Sequence, residues 1–144
     1  MKSPELTRLV VEIEKWDWGY SLGVTQNYPG RRGEWFRQEF RHLKFMGNLI
    51  RPTRFKLRRV ELILIPDEVD PIEGPSRGRI GHLGRSRKQW EPLIGIPASA
   101  LAPLLTVADR LKFMVLEVSS DINRKADIHS LSLEMTIDDE TLNS

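Results

Sequence analysis

The stretch Trp35–Pro66, WFRQEFRHLKFMGNLIRPTRFKLRRVELILIP, holds two runs rich in aromatic and aliphatic residues on either side of Arg51-Pro52. Proline has a fixed φ and no N–H to give a ladder, so it belongs in a turn rather than in mid-strand. The stretch therefore predicts a long hairpin, with strands over 35–50 and 53–65.

Neither run keeps one alternating phase. Phe36 and Phe40 share a parity, after which Leu43, Phe45 and Leu49 take the opposite one, and Phe55 and Leu57 likewise give way to Val60, Leu62 and Leu64. A turn centred near Ile50 sets the two slips, at Arg41-His42 and Arg58-Arg59, at one height. A bulge in each strand would return the apolar side chains to the interior after such a slip. The expectation is a creased hairpin with Arg41, His42, Arg58 and Arg59 clustered at the crease, a group of cations that needs an anion or carboxylates beside it. The run Glu61–Ile65 is apolar on both parities, the pattern of a strand covered on both faces.

Toward the N-terminus, Leu9, Val11 and Ile13 alternate with Glu12 and Glu14, and Trp18, Tyr20, Leu22 and Val24 form a second alternating set. Asp17 is the expected turn between them. Toward the C-terminus, residues 89–96 suit an edge strand because Pro92 cannot donate to a ladder. Pro97–Ala108 is the only helical candidate, with Leu101, Leu104 and Leu105 on one side, placed to close an open end of the sheet core. Strands follow over 110–118 and 128–137, the last with Leu131, Leu133, Met135 and Ile137 facing inward.

Residues 66–88, with three prolines and four glycines, are expected to form a long irregular loop holding a short strand near Ile80–Leu83. The acidic tail 138–144 is expected to fray. Seven or eight strands and one short helix in 144 residues predict a single all-β domain over 1–144. Its architecture is an antiparallel β-sandwich or flattened barrel, jelly-roll-like, with the long hairpin at its centre.

Composition removes several functions. The chain has no cysteine, which excludes disulfide scaffolds, thiolate zinc sites and cysteine nucleophiles together. Charges interrupt the apolar N-terminal stretch, which argues against a signal peptide or membrane span, and a cytoplasmic protein without a membrane partner is the expectation. His42, His82 and His129 are scattered, so no metal site is assigned. Asp67, Glu68, Asp70 and Glu73 lack the calcium-loop spacing. Gly78, Gly81 and Gly84 recur every third residue but lack both the phosphate-loop ending and a strand-to-helix setting. With no nucleophile elbow either, no catalytic residue and no cofactor is assigned, and the chain is read as a non-enzyme.

Charge is the most uneven property. Formal net charge is +2, yet residues 31–59 carry ten Lys/Arg against Glu34 and Glu39, a local +8. Residues 77–88 carry five cations and no acid, leaving −11 on the rest. Arg77, Arg79, Arg85 and Arg87 of that second segment join the crease residues as candidate binding groups. The expected function is a protein-interaction or self-assembly module, a homo-oligomer or a partner of another protein. Nucleic-acid backbone binding through 31–59 and 77–88 is the alternative, and an unrecognised small-molecule or enzymatic site comes third.

Overall fold

The computed structural model describes residues 5–26, 35–67, 79–119 and 126–143. Seven strands are present among them: β1 (Leu6–Gln26), β2 (Trp35–Arg51), β3 (Arg59–Asp67), β4 (Gly81–Arg85), β5 (Trp90–Pro97), β6 (Phe113–Ser119) and β7 (Ala126–Glu134). Helix α1 (Ala98–Val107) follows β5, and a short α2 (Asp139–Asn143) lies near the C-terminus.

The strands pair in the order β1-β2-β3-β5-β4-β7-β6 and close back on β1. The all-β class is the one the sequence predicts, and the ring takes its closed alternative. One pair departs from the antiparallel expectation: β3 and β5 run parallel. The cause is the tight turn between β4 and β5, where Ser86 N–H donates to the Gln89 carbonyl. That hairpin reverses the chain before β5 reaches β3, so β5 arrives in the direction of β3.

Inward alternation builds the core. Leu43, Phe45 and Leu49 of β2, Val60, Leu62 and Leu64 of β3, and Met114, Leu116 and Val118 of β6 are all buried. Helix α1 touches β3 and β5 and sets Leu101 into the core, with Leu104 and Leu105 packed against it. It covers apolar side chains at one end of the ring, as expected of it. In β3 the second parity is only half-covered, since Ile63 and Ile65 are intermediate in burial.

Several boundaries differ from the sequence reading. The hairpin is real, but residues 52–58 form its connection and the second strand begins at Arg59. Asp17 makes no turn: β1 is one strand of 21 residues in which Asp17 faces Lys44. Its change of parity comes from a bulge, because Ile13 lies opposite Gly47 and Lys15 opposite Met46, leaving Glu14 as the extra residue. In β7, Leu131 and Leu133 lie opposite Leu116 and Met114, after which a bulge at His129 hands the inward parity to Ile128 and Ala126. Met135 falls beyond that strand and is exposed rather than inward. The short strand expected near Ile80–Leu83 is β4. Residues 139–143 of the tail form a helical turn, where Asp138 accepts from the Thr141 N–H at 2.7 Å and Arg51 donates to the Leu142 carbonyl at 2.9 Å.

Candidate interaction surface

The expected crease is absent. The β2–β3 ladder runs without a slip from Leu43 opposite Leu64 to Asn48 opposite Arg59, and Arg41 and His42 lie beyond its far end. They pair instead with Tyr20 and Gly19 of β1. The four residues are therefore split between the two ends of the β2–β3 ladder. The parity slip in β2 has another origin: residues 35–40 have left the barrel altogether and are exposed on both faces.

Those residues form an arm. β6 pairs with β1 only over Leu6–Glu12, and β3 pairs with β2 only over Leu43–Asn48. Beyond these points β1 and β2 continue as a two-stranded ribbon, from Gly19 opposite His42 out to Gln26 opposite Trp35. At about 3.3 Å per residue the ribbon reaches roughly 25–30 Å from the barrel rim.

The bulge at Glu14 decides which side chains the arm presents. Before it, Leu9, Val11 and Ile13 face the core on odd numbers. After it, the same face passes to even numbers, because Trp16 and Trp18 lie opposite the buried Phe45 and Leu43. Trp16, Trp18, Tyr20, Leu22 and Val24 thus continue the interior apolar row past the rim, where no core covers it. Val24 is 65% exposed and Trp35, at the outer end of β2, is 62% exposed. The opposite face carries Phe36 and Phe40, also exposed. There the Phe40 and His42 rings lie tilted against each other at 5.4 Å between centroids, and a Cβ at Gly19 would overlap the His42 imidazole. Glycine at 19 makes room for that ring.

Polar contacts stiffen the arm. Glu39 accepts from the Tyr20 hydroxyl at 2.9 Å and pairs with Arg41 Nε at 3.0 Å. The hydrogen bond to Glu39 holds the Tyr20 phenol above the ordinary tyrosine pKa. At the bulge, Glu14 accepts from Asn48 and lies 3.8 Å from Arg59. Arg59 is therefore a partner of the bulge residue rather than a free cation.

A second surface lies at the other end of β2. Arg58, expected to bind a ligand, donates to the carbonyls of Leu49, Ile50, Pro52 and Phe55 and so closes the β2–β3 connection. Beside it, Lys56, Leu57, Arg85, Ser86 and Arg87 line an open cleft of about 600 Å³. The Arg85 guanidinium lies 5.7 Å from the Trp90 ring centroid, and Arg54 lies 4.8 Å from that of Phe55. Phe55 and Trp90 meet edge to face, and the Trp90 indole N–H donates to the Leu57 carbonyl at 2.8 Å. The two basic segments thus meet here through Lys56, Arg85 and Arg87, with Arg54 at the far side of the Phe55–Trp90 pair, and no carboxylate among the described residues pairs with any of the four. Arg79 is apart, bonded to Asp127 at 3.2 Å. Arg77, Gly78 and the acidic residues Glu68, Asp70 and Glu73 lie outside the described residues.

Sequence reasoning missed the arm residues of β1, and it covered Lys56 of the cleft only as part of the basic segment 31–59. One signal was available for the arm: Gly19 and Gly23 fall between the apolar residues of the alternation, on a face taken at Gly19 by the His42 ring and open at Gly23. In comparisons with known proteins the chain matches no protein-family model, no curated protein and no solved structure.

Proposed function

We propose that the chain is a non-catalytic self-assembly module, in which the β1–β2 arm is the surface that meets a second copy. One observation carries the reading: the interior apolar row runs out onto a ribbon whose two edges have no partner strand among the described residues. An exposed edge with apolar side chains on both faces is what natural monomers avoid, and it is used where another chain completes the sheet. Leu22 and Val24 at the arm's outer end favour a protein occupant over nucleic acid, since aliphatic groups give phosphates and base edges nothing to bond. Arms related by a two-fold axis satisfy one another and close without forming fibres.

Light scattering at high protein concentration in low salt is expected to give a closed oligomer that weakens in part as salt rises. Leu22→Ser with Phe40→Ser should weaken association at least about tenfold, the cost of leaving two apolar side chains unburied. A strict monomer for the unmodified chain under those conditions overturns the reading.

The cleft supports a second reading, nucleic-acid backbone binding. Three cations without carboxylate partners line it, Arg85 over the Trp90 ring, and make a phosphate-attracting surface. A generic oligonucleotide should then bind with a log-log salt slope of about −3, and Arg85→Ala should reduce its magnitude by about 1. No binding in low salt disposes of this reading and leaves the first untouched.

A further inference from the structure

The free edge of β2 is self-complementary. Leu49 N–H donates to the Arg58 carbonyl on β3, so odd-numbered residues of β2 turn their N–H and C=O groups toward that side. The β1–β2 register has no slip between Trp35 and Met46. Odd residues 35–41 therefore point their main-chain groups along the same edge, where no described strand receives them.

Placed antiparallel to a second copy of itself about Gln38, this edge matches at every position. Arg37 falls opposite Glu39 of the other copy, and Glu39 opposite its Arg37. Trp35 falls opposite Arg41, a ring against a guanidinium, and Phe36 opposite Phe40 on the other face. Each match occurs twice because the axis repeats it. Parity also fits: the odd positions would form the hydrogen-bonded pairs, and the Phe36–Phe40 and Gln38–Gln38 positions the closer non-hydrogen-bonded ones. Arg37 has no ion pair among the described residues, and Trp35, Phe36 and Phe40 are all exposed in the single chain.

We propose that two copies join by antiparallel pairing of their β2 edges over Trp35–Arg41, with the two-fold axis at Gln38, into one four-stranded sheet. This rests on the self-assembly reading above and specifies its contact. The axis stands perpendicular to the ribbon, so the two apolar rows of β1 emerge on one side of the joined sheet, the side continuous with the barrel interiors.

The absence of cysteine makes the test direct. In a non-hydrogen-bonded antiparallel pair the Cα atoms lie about 4.5 Å apart, inside the disulfide range of about 4.4–6.8 Å. Gln38→Cys should therefore give a covalent dimer under mild oxidation, while Ser21→Cys, one strand further from the axis, should not. Arg37→Glu should weaken association at least about tenfold by setting like charges opposite each other, and adding Glu39→Arg should recover most of the loss. Dimers by light scattering without a Gln38→Cys cross-link, or with a Ser21→Cys cross-link in its place, overturn this register and leave self-assembly standing. A monomeric unmodified chain overturns both.

Discussion

Phe45→Ala is expected to cost about 3–5 kcal/mol of stability, a fall of roughly 10–20 °C in Tm for a domain of this size. Phe45 is 0% exposed, lies opposite Leu62 of β3 and Trp16 of β1, and is among the largest fully buried side chains. Truncation leaves a cavity between strands whose backbones are held by ladders on both sides, so the site collapses little. Phe40, five residues earlier on the same strand, is 54% exposed. In dilute solution, where copies stand apart, Phe40→Ala should leave Tm nearly unchanged. Thermal melts of the two variants therefore separate barrel from arm, and equal losses would mean that the arm folds onto a core of its own.

The second large effect is expected at Arg58. Its guanidinium donates to four carbonyls, Leu49 and Ile50 at the end of β2 and Pro52 and Phe55 in the connection, and so ties the two together. Arg58→Ala should cost about 2–3 kcal/mol, the scale for charge-assisted hydrogen bonds whose acceptors are left half-buried. Arg58→Lys should recover little, because one ammonium cannot span acceptors that a planar fork reaches together. Arg85→Ala should be neutral to within about 0.5 kcal/mol, since its main described contact is the face of Trp90. Denaturant titration checks all three, and a neutral Arg58→Ala would show that the connection is held by its ends alone.

Arg58 and Arg85 look alike in sequence, each an arginine within a basic segment, and only the fold tells them apart. The reach of a guanidinium to carbonyls up to nine residues away depends on how the chain turns after Pro52, which no local pattern specifies. The barrel was legible where alternation is tied to burial, as in Leu43, Phe45 and Leu49 or Val60, Leu62 and Leu64. Helix α1 was legible from Pro97 and its leucines. The parallel β3–β5 pair was not, because strand order is set by which edges remain free once the β4–β5 hairpin has formed. The arm was hidden for a related reason: alternation of Trp18, Tyr20, Leu22 and Val24 reads the same whether the covering surface belongs to this chain or to another. Parity slips were visible at both places, but a slip can mean a bulge, as at Glu14, or the end of the core, as at Arg41.

The extra residue at Glu14 gives the chain a dependence on length as well as on composition. Each amino acid beyond it owes its side of the ribbon to one unpaired position held by Asn48 and Arg59. Removing that position would turn Trp18, Tyr20, Leu22 and Val24 to the opposite side while leaving the order of those residues intact. The bulge is thus a one-residue phase setting for the whole arm. It lets the barrel part of β1 keep its inward side on odd numbers and its arm part present the same side on even ones.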